Sequence, residues 1–464
     1  MHNLAKAALA NAAMTPFWLD RSDAPTALPP LEGSRQADLL VVGGGFTGLW
    51  GAILSRQAYP DRDVILIEKQ NIASGASGRP GGVVSTSVMH GLSNAARIFP
   101  RDIAELERLG QDNMRGMMQT IEQYGIDCHA TWGGELTVAV NDAHIEALHR
   151  EHALYLKYGH NSVFLDADAI CREINSPRYK AGVWSKDISG TVQPALLAWG
   201  LKRVAQELGV RIFEHTELVG LEESGGKVVA RTPQGSVTTP RVLLATNAFV
   251  AGHHKIKRRI VAVRDRVLAT EPLSGSQMES IGWRNRQGVY DTRTQMNYMR
   301  LTQDNRIIFG GRLAYAFGGE PFPSIDSDAQ TYVPLAQAFF ETFPQLEGLQ
   351  FTHAWSGPID LSTRMAVHFQ RYHGGKVVYA GGYSGFGVSA SRFGARIGLD
   401  ILEGSTTPES RLEFATTLPS RVPPEPFRWL GAQITMYALD TADKQGGWRR
   451  PWLKVISAMG FPLN

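Results

Sequence analysis

Three glycine-rich segments carry the residues that could do chemistry, and a run of apolar residues precedes the first of them. Behind Leu39-Leu40-Val41-Val42 comes Gly43-Gly-Gly-Phe-Thr-Gly48. Gly43 permits a tight turn out of a strand, Gly45 admits a pyrophosphate against bare backbone, and Gly48 lets the next helix pack close. Phe46 and Thr47 would open that helix, whose first N–H groups lack intrahelical partners and favour anions. A second apolar run, Val64-Ile65-Leu66-Ile67, ends in Glu68-Lys69. A carboxylate at Glu68 is placed to accept hydrogen bonds from a ribose diol. Glycines also serve ordinary turns. The strand before, the helical segment Leu49 to Ala58 after, and the acid beyond favour a dinucleotide site.

The second segment, Ser74-Gly-Ala-Ser-Gly-Arg-Pro-Gly-Gly82, follows directly. Ser74 and Ser77 offer hydroxyls, Gly78, Gly81 and Gly82 allow close backbone approach, and Arg79 can neutralise phosphate. Taken alone it also fits a flexible loop. The third, Gly381-Gly-Tyr-Ser-Gly-Phe-Gly387, lies between the apolar run Val377 to Ala380 and a helix predicted over Ala390 to Leu402. Its N–H groups and that helix N-terminus would form a positive dipole end. Such an end suits the N1–C2=O edge of an isoalloxazine ring, which gains negative charge on reduction. The expectation is FAD rather than NAD, held non-covalently: neither cysteine is near a predicted ring edge, and no histidine interrupts residues 74–82.

The elements that must position these loops follow from periodicity. Helical spacing covers Ile103 to Tyr124, about Asp142 to Tyr158 with Asn141 as its cap, Pro194 to Gly209, and Ala329 to Phe343. Strands are expected at 135–141, 210–214, 228–231, 242–246, 261–270, 295–301 and 306–310. Pro16 to Arg35 reads as an extended arm pinned by Phe17 and Trp18. His144, His149 and His152 share a helix, where a solvated or half-buried face is a simpler reading than a metal site. The tail from Thr406 starts with prolines and continues as an amphipathic helix with Phe427, Leu430, Ile434 and Tyr437 on one face. It packs on its own domain or on a second copy of the chain, in a homo-oligomer; membrane contact is the weaker alternative.

At 464 residues and 43% hydrophobic, the chain can build more than one core. Lys+Arg 47 against Asp+Glu 44 is too even a balance for a nucleic-acid partner. No apolar stretch approaches the ~20 residues of a transmembrane helix. The two cysteines, Cys128 and Cys171, have neither metal nor redox spacing and read as buried free thiols in a reducing, cytoplasmic setting.

The combined pattern resembles the D-amino-acid oxidase superfamily of flavoproteins, and within it the gamma-glutamylputrescine oxidoreductase-like branch. The match rests on residues 42–48, Glu68-Lys69, Ala73 to Arg79 with Gly81-Gly82, Leu243-Leu-Ala-Thr-Asn-Ala248, and Gly381 to Val388, and spans roughly Ala37 to Gly404. It implies an α/β (α+β) fold, in which a Rossmann-type FAD-binding domain (37–91, 166–254 and 351–404) interleaves with an antiparallel-sheet substrate domain (92–165 and 255–350). An N-terminal arm (1–36) and a C-terminal extension (405–464) complete the chain. The resemblance also implies cofactor contacts from Thr246, Asn247, Leu218, Gly382, Tyr383, Gly385, Phe386, Gly387 and Val388. The implied reaction is loss of hydride from a primary or secondary amine to flavin N5, with oxygen or another acceptor taking the electrons and no obligatory general base.

Relatives that oxidise free amino acids commonly place an arginine after a Trp/Gly turn. Here the stretch reads Trp355-Ser-Gly-Pro-Ile-Asp360. Asp360 instead suggests a cationic amine, such as a polyamine derivative, or a structural turn. Tyr298, Arg300 and His90 complete the expected catalytic set, with Arg264, Asp265, Arg266 and Arg312 as weaker candidates. Alternatives are a D-amino-acid, glycine or sarcosine type of oxidase or dehydrogenase, and a non-catalytic FAD-bearing subunit. A pyridine-nucleotide-dependent reductase would need a second nucleotide fingerprint, which the sequence lacks.

Overall fold

Leu39–Val42, Val64–Ile67, Val242–Leu244 and Val377–Gly381 are apolar throughout and buried at every residue in a computed structural model that describes residues 1–249 and 254–461, without the His254 side chain. Strands covered on both faces read this way. They lie in a six-stranded sheet ordered His368–Tyr372, Val377–Gly381, Val242–Leu244, Leu39–Val42, Val64–Ile67, Arg211–Phe213. All neighbours are parallel except the first pair. The helices Phe46–Ala58 and Gly387–Glu403 pack together on one face. A β-carbon on Gly51 would stand 2.5 Å from Leu243 Cδ2, so the first helix sits directly on the sheet.

The second body is an eight-stranded sheet ordered Phe351–Ser362, Ile260–Thr270, Ile307–Ala314, Asn297–Leu301, Gly288–Asp291, Glu135–Ala139, Ala181–Ser185, Ser162–Leu165. Its neighbours are antiparallel except Gly288–Asp291 beside Glu135–Ala139. This topology moves two of the expected boundaries. Phe351–Ser362 pairs along its length with Ile260–Thr270, and Ala181–Ser185 pairs with Glu135–Ala139, so both stretches belong to this sheet and not to the six-stranded one. The boundary expected at residue 254 adjoins residues 250–253, and the extension runs to 464; residues 250–253 and 462–464 lie outside the described residues. Phe339, Phe340 and Phe343, on and just after the helix Val333–Thr342, fill the core beneath this sheet with Phe309 and Phe351.

Several local readings shift. Gly33–Gln36, expected in the extended arm, is a strand parallel to Gly235–Thr239 in a separate four-stranded sheet. The last sheet-covering helix begins at Gly387, three residues before Ala390, because the glycine loop turns straight into it. The Asn141 side chain accepts no capping hydrogen bond; its Nδ2 faces His144 Nε2 at 3.3 Å. His144 contacts Thr292 Oγ1, His149 stacks on Phe164, and His152 contacts Ser162 Oγ, so the three rings point to separate partners. Cys128 is buried, but Cys171 is exposed. No helix of the described residues is long and apolar enough to cross a membrane.

The tail helix Phe427–Thr441 turns the opposite face inward from the one expected. Arg428, Ala438 and Leu439 are buried, while Phe427, Leu430 and Tyr437 are exposed at 68%, 53% and 52%. Polar anchors decide the rotation. Asp440 pairs with Arg312 at 2.6 Å, Asp443 accepts from the Thr294 backbone N–H at 2.8 Å, and Gln433 donates to the Tyr315 carbonyl at 3.0 Å.

The arm is fixed by two buried groups. Trp18 is 1% exposed and donates to the Pro80 carbonyl at 2.7 Å. The Glu214 carboxylate, also 1% exposed, accepts from Leu28 N, Ile72 N and Lys202 Nζ, each at 2.6 Å. One carboxylate thus ties the arm, the nucleotide loop and the helix Pro194–Glu207 together. Removing the cation would leave a buried, uncompensated charge. Lys202→Met is expected to cost about 3–5 kcal/mol of stability; denaturant unfolding checks it, and a loss below about 1 kcal/mol would contradict the assignment.

Candidate functional site

The parallel strands Leu39–Val42, Val64–Ile67 and Val242–Leu244 end at the same edge of their sheet, where a ligand groove is expected. A cavity of ≈ 780 Å³ opens there and runs on beneath the larger sheet. Glycines make the room. A β-carbon on Gly43 would stand 2.6 Å from the Ala245 carbonyl oxygen, and one on Gly45 would stand 2.8 Å from Ser77 Oγ. Gly48 is packed so tightly on Gly43 that any β-carbon would strike the Gly43 carbonyl.

At one end of the cavity lie Glu68, Lys69 and Leu218. Glu68 accepts from Gly44 N at 2.6 Å and from Gln70 N at 2.9 Å. Burial pushes its pKa up against those bonds. Lys69 projects outward to Glu217 at 2.7 Å. Next along the wall, Phe46 N donates to Ser77 Oγ at 2.9 Å, joining the first two glycine loops. Thr47 Oγ1 donates to the Tyr383 hydroxyl at 3.0 Å, joining the first to the third. Thr246 and Asn247 line the same stretch; Asn247 has φ +48°, and its carbonyl accepts from Tyr379. The Thr246 hydroxyl is buried with no partner among the described residues, which leaves it for a ligand.

Gly81, Gly82, Gly385, Phe386, Gly387 and Val388 line the far half of the cavity. Here the Gly387–Glu403 helix presents its N-terminus, the positive dipole end anticipated for a ring carbonyl. Tyr298 lies between Gly81 and Gly310, and a β-carbon on either glycine would run into its ring. Across the strand pair it faces Tyr290, and it lies against Asp265, whose pKa burial lifts to about 6. His90 has φ +57° and packs at a tilt against Phe386, with centroids 4.2 Å apart. Burial lowers its pKa to about 4, so its ring is neutral at physiological pH.

Five of the expected site residues stand behind the wall. Gly48 and Gly78 are backbone-packing positions, Gly78 being closed off by the Ala73 carbonyl. Ser74 serves through its carbonyl, which accepts from Arg79 Nε at 3.1 Å. Gly382 faces His368, and its N–H is taken by Asp360. Arg300 corrects the catalytic set: its guanidinium is buried under Gly82, donating to the Val192 and Leu301 carbonyls, away from the cavity. Arg79 does line the cavity, yet it reaches the Ser356 carbonyl at 3.0 Å and stacks on Phe322, toward the larger sheet. Asp360 is 1% exposed; one oxygen holds Gly382 N, the other has no partner among the described residues, and burial lifts its pKa to about 7. Asp360 lines the cavity and supports the third glycine loop through Gly382 N, with its second oxygen left open.

Tyr290, Phe322, Arg428 and Leu439 also line the cavity and were missed from sequence. Tyr290 could have been found as the cross-strand mate of Tyr298. Arg428 and Leu439 recur with Ala432 and Thr435 at helical spacing, on the face opposite Phe427, Leu430 and Tyr437.

Comparison with known proteins agrees with this geometry. The profile of the family described as DAO, FAD dependent oxidoreductase, matches residues 38–400. The chain is 30% identical over 397 residues to a probable oxidoreductase, OrdL, of Haemophilus influenzae, covering 84% of this chain and 88% of that one. It is 32% identical over 380 residues to gamma-glutamylputrescine oxidoreductase of Escherichia coli, covering 81% and 85%. In fold it is similar to glycine oxidase of Geobacillus kaustophilus, with a TM-score of 0.69 at 18% identity, over 82% of this chain and 99% of that one.

Two outcomes are expected. Glu68→Ala raises the Kd for FAD about ten- to hundredfold, as loss of a charged hydrogen-bond acceptor should; equilibrium titration of apoprotein checks it, and an unchanged Kd contradicts it. Asp360 binds its proton more tightly folded than unfolded, so its stabilising share is complete below about pH 3.8 and is lost as pH rises through about 7. Asp360→Asn apoprotein should therefore gain stability relative to the parent between about pH 4 and about pH 8. A pH-independent difference in unfolding free energy would contradict this.

Proposed function

Because the chain belongs to the DAO family of FAD-dependent oxidoreductases, we propose that it oxidises a primary or secondary amine to an imine, which water then hydrolyses. The relationship to gamma-glutamylputrescine oxidoreductase supports an amine as donor. The observation that carries the reading is the Asp265–Tyr298 pair on the cavity wall, where a substrate nitrogen would meet a hydroxyl and a carboxyl but no strong base.

Bound FAD supplies the acceptor for the hydride that leaves the carbon beside nitrogen, and oxygen or another acceptor restores it. The protein's share is orientation and electrostatics. Glu68, Thr246 and Asn247 would hold the nucleotide half, and residues 385–388 with their helix N-terminus would hold the ring's electron-rich edge. Tyr298, fixed between two glycines, cannot swing away and so presents its hydroxyl at one place. Neutral His90 and Phe386 close the wall on the other side without adding charge. The proton lost from the substrate nitrogen can pass to the Asp265 carboxylate, which is ionised above about pH 6. Two unpaired cysteines accord with a reducing, cytoplasmic setting.

Anaerobic mixing with a panel of amines, N-substituted amines and amino acids, followed by flavin absorbance, tests the reading. Amines should bleach the flavin; a flavin that dithionite reduces but no amine does would overturn it. In steady state, kcat/KM should fall as pH drops through about 6, because Asp265 takes up its proton there. Asp265→Asn should lower kcat/KM about ten- to hundredfold and abolish that inflection. Retention of the inflection would show that another group titrates.

A further inference from the structure

The helix Phe427–Thr441 lies outside the family-matched residues 38–400, yet two of its side chains, Arg428 and Leu439, form part of the cavity wall. We propose that this C-terminal extension roofs the substrate half of the site and that Arg428 binds a carboxylate carried by the amine substrate. The proposal deepens the amine-oxidation reading and rests on it.

Arg428 is 8% exposed and lines the cavity. Nε donates to the Pro423 carbonyl at 2.9 Å, which fixes the plane of the guanidinium. The rest of the head group lies beside the Tyr315 hydroxyl. Among the described residues no carboxylate pairs with it. The nearest acid in sequence, Glu425, shares the Tyr315 hydroxyl with Arg428 without pairing with it directly: one Glu425 oxygen accepts from that hydroxyl and from Gly318 N, the other from Trp429 N. The other arginines of this wall are already committed, Arg312 to Asp440 at 2.6 Å and Arg79 to backbone carbonyls. A buried guanidinium whose only acid is reached through a tyrosine hydroxyl has charge left to satisfy, which a ligand carboxylate would do through charge-assisted hydrogen bonds.

The extension is built to hold that group in place. Asp440 and Asp443 dock the helix on strand and loop residues of the substrate body, and Tyr315–Glu425 fixes its first turn. The chemical class of substrate is then an amine with a carboxylate at some distance from the reacting nitrogen, its charge at the roof and its C–N bond beside Tyr298.

The test compares ω-amino carboxylic acids with unsubstituted alkylamines of equal chain length, in the parent, Arg428→Gln, Arg428→Lys and Arg312→Gln enzymes. Flavin content and melting temperature verify folding. The expected result is that the ratio of kcat/KM, carboxylated over plain amine, falls about tenfold or more in Arg428→Gln, mainly through KM, and is partly restored in Arg428→Lys. Visible difference spectra of the bound flavin, titrated with a simple aliphatic carboxylate, should give a Kd raised by a similar factor without any turnover. An unchanged ratio and Kd in Arg428→Gln, or a change that follows Arg312→Gln instead, would overturn the inference. If no amine reduces the parent flavin, the amine reading fails, and the carboxylate titration still decides the role of Arg428.

Discussion

Everything in this molecule depends on how closely backbone can approach backbone at one edge of a parallel sheet. Gly43 meets the Ala245 carbonyl, Gly48 meets the Gly43 carbonyl, and Gly45 meets Ser77, each at a separation that no β-carbon tolerates. These contacts pull segments from opposite ends of the chain onto one groove. Thr47 with Tyr383, and Phe46 with Ser77, then lock the three glycine loops to one another. An extended dinucleotide can lie across such a groove because its polar atoms meet N–H groups and hydroxyls while its ring meets small residues.

The half of the cavity proposed to receive substrate is made differently. It is the underside of an antiparallel sheet, where side chains alternate and two-residue spacing brings like-facing residues into line. Tyr298 reaches the cavity because Gly81 and Gly310 leave it room, whereas Arg300, two residues on, is trapped beneath Gly82. One sheet edge thus supplies the glycine loops of the cavity, and the second sheet with the tail supplies its other walls, where the proposed substrate would lie.

The nucleotide side was legible in the sequence because its constraints are local: a turn that needs glycine, a helix start, an acid at the end of the next strand. The substrate side was less so, because its members come from contacts that no short spacing encodes. Tyr290 is set by cross-strand register, and Arg428 by which face of a tail helix the Arg312–Asp440 pair turns inward. The aromatic stripe Phe427, Leu430, Tyr437 pointed to the wrong face, since apolar periodicity marks an amphipathic helix but not which polar anchors overrule it. Asp360 was read either as a charge for a cationic amine or as a structural turn residue, and its bond to the Gly382 amide together with its place on the cavity wall fits both roles. The Phe351–Ser362 strand was placed in the wrong body for the same reason: its partner, Ile260–Thr270, is distant in sequence.

The most direct measurement is a crystal structure of the FAD-loaded protein. The account predicts the adenosine ribose on Glu68, the pyrophosphate over Gly43 to Thr47, and the isoalloxazine ring between Tyr298 and the start of the Gly387–Glu403 helix. A ring bound elsewhere, or a nucleotide running in the opposite direction along the groove, would contradict it.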